Sequence, residues 1–203
     1  MRPLTQDDLI PLDEYAGRRR EYFESHCRYL DRYRRVRVGP VATLIFENRQ
    51  TLWFHVQEVL RIARATDVDF VQRELDLFNR LLPAAGQLQA ALIIDVKNEF
   101  QLTTELEPWA NIGDNHIRLC IGKDQCAASL LTCRAEDRCI GAAHWLQFTV
   151  DEHARKHLAD PRQPAFVEID LPAYKFQSAP IGEDVRQSLV DDLKSATHQS
   201  VAA

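Results

Sequence analysis

Glycine is scarce in this chain, 7 in 203 residues, and none falls in a G-x-G-x-x-G, Walker-type or G-x-S-x-G pattern. Backbone loops that cradle phosphates need such glycines. Rossmann-type hydride transfer, P-loop nucleotide hydrolysis and α/β-hydrolase chemistry are therefore disfavoured. Long apolar runs are also missing: none approaches the ~18 residues that span a bilayer, so no membrane partner is expected. Between Met1 and Leu12 acids stand where a secretory signal would have its apolar stretch, which predicts a cytoplasmic protein. The 5 cysteines are an odd number, poorly suited to a disulfide framework and consistent with a reducing compartment. Cys120, Cys126, Cys133 and Cys139 have five or six residues between successive members, not the C-x2–4-C knuckles of structural zinc. Neither zinc nor an iron–sulfur cluster is expected there. In the hairpin drawn below, Cys120 and Cys126 point to opposite faces, as small buried hydrophobes do.

Lysine is absent from residues 1–65, which hold 12 arginines against 9 acids, a net +3, while the remainder carries −8. Eight of those arginines lie between Arg18 and Arg37. A block of this kind can bind phosphate or nucleic acid. Glu21, Glu24 and Asp31 are interleaved with it, however, and that pattern favours a solvated helix face laced with ion pairs. The overall net charge of −5 offers no wide basic footprint, so nucleic acid is not the expected partner.

What is present is ordinary for a globular chain: 45% hydrophobic and 27% charged residues, in a length that suits one core. Thr5 and Asp8 form a capping-box pair ahead of Pro11. Tyr15, Tyr22, His26, Tyr29 and Tyr33 recur at helical spacing and predict a long helix from about Asp13 to Arg35. Its inner stripe is aromatic, and buried tyrosine hydroxyls need polar partners. After Gly39-Pro40 a strand is expected from Val41 to Glu47. Thr51 to Gln57 alternates apolar and polar residues, which reads as the second strand of a hairpin with Asn48-Arg49-Gln50 as its loop. That register places Thr43, Glu47, Thr51, Trp53 and His55 on one face. Glu58 to Arg64 then begins a short helix.

Thr66 is expected to cap a helix using Val68, Val71, Leu75, Phe78 and Leu82, which Pro83 stops. Leu88 to Val96 predicts a central strand covered on both faces. Asn98 to Asp114 reads as irregular. His116–Ile121 and Cys126–Cys133 form a second hairpin, Ala143–Val150 and Ala165–Asp170 add strands, and Glu183–Lys194 closes the chain as an amphipathic helix. The pattern is one α+β domain over residues 1–195 with a frayed tail from 196 to 203. It combines a mainly antiparallel β-sheet of six to eight strands, a long N-terminal helix, and further helices packed on one face.

His153 and His157 sit four apart on a short helix and could share a metal ion. The stretch lacks the glutamate of an H-E-x-x-H frame and lies in a polar segment, so an exposed face is the ordinary reading. His144, beside Trp145 in an apolar strand, reads as a satisfied core histidine. The densest chemistry lies between Thr43 and Arg61. There Glu47, Arg49, His55, Gln57, Glu58 and Arg61 are candidate ligand-binding residues, with Glu74 and Asn79 brought over them by the next helix.

The stretches RRVRVGP (34–40), TLIFENRQT (43–51), VQEVLR (56–61) and ELDLFNRLLP (74–83) resemble a bacterial family catalogued as a domain of unknown function, number 3501. AALIIDV (90–96) and AAHWLQF (142–148) resemble it more loosely. The resemblance implies a cytosolic single-domain protein whose genes lie near rubrerythrin-like and iron–sulfur proteins; it implies no established activity or cofactor. It also implies a histidine before the proline of the stretch seen here as DLPAY, where this chain has Leu171, so that position offers no metal ligand.

Two functions compete. The first is a cytosolic accessory or binding protein in a redox or stress pathway, recognising an anionic small molecule or a redox-linked protein partner, with a two-fold homodimer as the default assembly. The second is an enzyme in which Glu47, His55 and Glu58 hold a divalent metal or act as acid and base. Carboxylates that come with nearly equal numbers of arginines usually neutralise them, which favours the first.

Overall fold

The computed structural model describes residues 1–131 and 142–197. A 3-10 turn at Gln6–Asp8 carries the Thr5/Asp8 capping box expected from the sequence. The long helix follows as α1 (Leu12–Tyr33), then strands β1 (Arg35–Val38) and β2 (Ala42–Glu47). Next come helices α2 (Arg49–Ala63) and α3 (Val68–Asn79) and strand β3 (Gln87–Ile94). The stretch expected to be irregular holds a short α4 (Leu102–Leu106) between two 3-10 turns. Strands β4 (Ile117–Ile121), β5 (Asp124–Leu130) and β6 (Ala143–Thr149) precede α5 (Glu152–Ala159). Strands β7 (Ala165–Leu171) and β8 (Tyr174–Gln177) and helix α6 (Glu183–Thr197) complete it. The α+β expectation holds: eight strands form one antiparallel sheet in the order β1-β2-β3-β6-β5-β4-β7-β8. The expected C-terminal tail past Thr197 lies outside the described residues, as do Cys133 and Cys139.

One feature of the expected architecture is overturned. Thr51 to Gln57 is not a strand but the first half of α2, so the β2 hairpin with an Asn48-Arg49-Gln50 loop does not exist. The cause is local. Asn48 caps the helix, its side chain accepting from the backbone N–H of Gln50 (3.0 Å) and Thr51 (3.2 Å), while the Thr51 hydroxyl accepts from the Asn48 N–H (2.9 Å). The alternation of Leu52, Phe54 and Val56 fits either period, because Leu52, Val56 and Leu60 are also spaced by four and all three are buried. The helix won because its cap satisfies the orphan amides. The partner that β2 takes instead is β3, with Glu47 opposite Gln89. A second correction is smaller: Asp67, not Thr66, caps α3, accepting from Asp69 (2.7 Å) and Phe70 (3.1 Å).

Alternate residues of the strands feed one large core. Leu44, Phe46, Leu88, Leu92, Leu146 and Phe148 lie there, joined by Trp109 and by Val185, Leu189 and Leu193 from α6. A second cluster, built on Leu4, Leu52, Val56, Leu60 and Leu75, fastens α2 and α3 to the N-terminal segment and to Trp145. The sheet curls until it is nearly a barrel, and Tyr174 of β8 meets the β1–β2 turn. Its hydroxyl donates to the Val38 carbonyl (2.6 Å) and accepts from the N–H groups of Val41 (3.3 Å) and Ala42 (3.2 Å). Gly39 must be glycine for this approach: φ is +72°, and a Cβ would come within 2.6 Å of both the Tyr174 hydroxyl and the Phe176 ring. Tyr174→Phe is expected to cost about 1–2 kcal/mol, because buried backbone groups lose a partner they cannot replace with water. Urea denaturation with an unchanged slope and a lower midpoint is the expected result; an unshifted midpoint would remove the hydroxyl from the closure.

Candidate functional site

The predicted site residues do gather around α2, but on helix faces and in separate networks rather than on one sheet face. Glu47 ends β2 almost fully buried, 2% exposed. The Thr51 hydroxyl donates to one of its oxygens, and His55 Nε2 lies 3.4 Å from the other. The His55 ring stacks on Phe78 at 6.2 Å and meets the edges of Trp145 and His26. His26 itself stacks flat on Phe54, with centroids 3.9 Å apart. Burial, then the nearby His55, pulls the His26 imidazole down to about 4, so it is neutral at physiological pH.

Glu58 is held elsewhere. Arg19 and Arg61 each grip it through two nitrogens at 2.9–3.1 Å, and the Tyr15 hydroxyl donates at 2.9 Å. Burial pushes against the charge of Glu58, yet the two guanidiniums and the phenol prevail and hold its carboxyl at about 2. Gln57 clamps the backbone of Ile10 with both ends of its amide, accepting at 3.2 Å and donating at 3.3 Å. Asn79 does the same to Leu4, at 2.7 and 2.9 Å. These two amides are anchors for the N-terminal segment, a role that explains the burial of Gln57 without a ligand. Glu74 is half-buried on α3 and joins none of these networks.

Arg49 stands apart. It lies in the first turn of α2, where it donates to the Arg2 carbonyl (3.0 Å) and pairs with Asp8 at 2.6 Å. Asp8 also pairs with Arg2 at 2.6 Å, and Arg49 in the lead holds its carboxyl down at about 2. These residues border an open cleft of about 570 Å³ lined also by Asn48, Gln50, Trp53 and Asp192. Trp53 is fixed there by its indole N–H, which donates to the Asp8 carbonyl at 2.9 Å. Behind the cleft, buried Arg34 binds Asp192 through two nitrogens and the Tyr29 hydroxyl at 2.9–3.0 Å, and Asn48 donates to that same hydroxyl at 2.9 Å. Among the side chains lining the opening, Arg2 and Arg49 balance Asp8 and Asp192, and the buried Arg34 behind it faces Asp192.

A family model described as "Protein of unknown function (DUF3501)" matches residues 3–193. The chain belongs to that family. It is also similar to a crystal structure described as a novel protein of unknown function from Burkholderia pseudomallei K96243. The identity is 30%, covering 95% of this chain and 100% of that one, with a TM-score of 0.86. No curated protein matches it.

In this DUF3501 chain, Leu171 is fully buried at the end of β7, in the position where the resemblance implied a histidine. Six of the eight arginines between Arg18 and Arg37 are in ion pairs, three of them with the interleaved Glu21, Glu24 and Asp31. Cys120 and Cys126 are free and buried, opposite Gln125 and Leu119 respectively and hence on opposite faces; burial pushes both thiols up to about 11. Arg2 and Gln50 are not among the candidate site residues read from sequence, Asp8 is read there only as a capping residue, and Trp53 is placed there on the polar face of a hairpin that does not form. The Thr5/Asp8 capping pair was the available signal, since a capped turn ahead of a proline is a rigid arm that must fold back on something. No helix among the described residues is long and apolar enough to cross a membrane.

Proposed function

We propose that the protein is a cytosolic accessory or binding protein whose cleft at the start of α2 takes a small anionic ligand. The observation that carries this reading is the roughly 570 Å³ cleft in which Arg2 and Arg49 flank the N-terminus of a 15-residue helix beside the Trp53 indole. A helix start concentrates partial positive charge, guanidiniums recognise carboxylate or phosphate in two-point fashion, and an aromatic wall shields the contact from water. Arg49 is already held by Asp8, so a ligand anion would share the guanidinium rather than order it from solution, which lowers the entropic cost of binding. The redox or stress setting rests on the family resemblance.

The enzyme alternative is weaker on the same grounds. Both Glu58 oxygens are occupied by Arg19, Arg61 and Tyr15, and Glu47 sits in a different network, so the three candidates do not converge on one ion or one substrate proton.

Gln50 is exposed at the cleft mouth, so Gln50→Glu tests the reading without removing a packing contact. An acid in the first turn suits the helix dipole, and the melting temperature is expected to hold or rise slightly. Binding of inorganic phosphate and of small di- and tricarboxylates, followed by calorimetry, is expected to weaken about tenfold or more and to fall with added salt. Unchanged binding in Gln50→Glu, or no anion bound by the unaltered protein, would defeat the proposal.

A further inference from the structure

Asp124, His153 and His157 stand together, and they arise from two separate pieces of chain. The turn Gly122-Lys123, with Gly122 at φ +58°, joins β4 to β5 so tightly that Asp124 is the first residue of the returning strand, paired with Ile121. Helix α5 is capped by Asp151, which accepts from Ala154 at 2.8 Å, and buries Ala154 and Leu158 against the core. That leaves His153 and His157, four apart, on a common face over the Asp124 carboxylate. One oxygen of Asp124 lies 3.2 Å from His153 Nδ1 and the other 2.7 Å from His157 Nδ1, and the two rings are 4.2 Å apart. Among the described residues this is the one group of three or more His, Cys, Asp or Glu side chains whose ligand atoms all lie within 4.8 Å of one another.

We propose that Asp124, His153 and His157 form a site for a divalent first-row transition ion, with Zn²⁺ the best fit. Two imidazoles and one carboxylate are the donor set that zinc takes at sites with an open position, and the ligand atoms around a tetrahedral ion lie roughly 3.3 Å apart. The observed spacings need only small side-chain rotations to reach that distance. Hard ions such as Mg²⁺ and Ca²⁺ prefer all-oxygen shells and are disfavoured. His153 is two-thirds exposed, which leaves an entry path and room for water in the remaining coordination positions. Binding would pin α5 to the β4–β5 hairpin. This site is independent of the anion cleft, which shares none of its residues.

Sequence spacing alone could not raise this pair above an exposed helix face, because the third ligand lies 29 residues from His153. The test uses the full chain without a histidine tag, freed of metal by a chelator. Titration with Zn²⁺ by calorimetry, and with Co²⁺ by its visible absorption, is expected to give one ion per chain at a Kd of about 1 µM or tighter, with a rise in melting temperature of about 5 °C at excess zinc. Affinity should fall as the pH is lowered, because protons compete with the ion for its ligands. His153→Ala removes an exposed side chain and leaves the fold intact; it, His157→Ala and Asp124→Asn are each expected to weaken binding at least tenfold, whereas Glu152→Gln, adjacent and equally acidic, changes it less than twofold. No saturable binding below about 100 µM, or an ion still bound by the His153→Ala/His157→Ala double variant, would overturn the assignment.

Discussion

Arg34→Met is expected to cost about 3–5 kcal/mol and to leave the chain barely folded. Arg34 is 2% exposed and its guanidinium carries Asp192 from α6 and the Tyr29 hydroxyl of α1 at once. A buried ion pair adds little over a well-packed apolar pair, because each charge was stripped of water. Removing one partner is different: the other is left with neither water nor counter-charge. Burial already drives the Asp192 carboxyl upward against the pull of Arg34, so without the guanidinium it would take up a proton or drag water inward. The companion double variant Arg34→Met/Asp192→Leu is expected to recover most of the loss. Chemical denaturation of the two singles and the double gives the coupling directly, and additive losses would mean that the pair does not act as a unit.

The second large effect is on acid stability. His26 is 8% exposed, stacked on Phe54, and titrates at about 4 rather than 6.5. His55, Glu47, Glu58 and Arg35 supply the charges around it. In the folded protein it is neutral through the range where the unfolded chain would be protonated. The unfolded state therefore binds the extra proton between pH 6.5 and 4, and stability falls as the pH drops through that window. Each tenfold loss of proton affinity on folding is worth ~1.4 kcal/mol, so about 3 kcal/mol present above pH 6.5 is gone by pH 4. Glu58 and Asp8 have depressed values near 2, so their contributions are full above the ordinary carboxylate range and are lost only lower, as the pH falls from about 4.5 towards 2. The two windows can be separated by measuring at pH 7, 6, 5 and 4. His26→Phe keeps the stacked ring and is expected to flatten the slope from 7 to 4.5; an unaltered slope would place the acid sensitivity in another group.

Local signals in the sequence are legible wherever one periodicity acts alone. The aromatic stripe of α1 and the apolar run of β3 could be placed because no competing pattern fitted them. Leu52, Phe54 and Val56 misled because spacings of two and four coincide over so short a run, and the deciding fact was a cap: Asn48 followed three residues later by Thr51. The candidate residues between Glu47 and Arg61 are indeed dense in interactions. What sequence could not reveal was where each interaction went. Glu58 meets Arg19 across 39 positions, and Gln57 meets Ile10 across 47, and no local spacing encodes either. Most of that density serves to tie the N-terminal arm and α1 to α2, and only Arg49 opens onto a cleft with its charge at the surface.

The seam at Tyr174 has a bearing on how the chain is made. Tyr174 reaches back 136 residues to Val38, and Arg34 waits 158 residues for Asp192. On the ribosome, β1, β2 and α1 emerge long before either partner exists. Until β8 and α6 arrive, the β1–β2 turn lacks its Tyr174 contacts and the Arg34 guanidinium is still in water. A chain stopped anywhere before residue 174 would therefore leave the β1–β2 turn without the Tyr174 hydroxyl and the large core without Val185, Leu189 and Leu193 of α6, an incomplete core of the kind that favours aggregation.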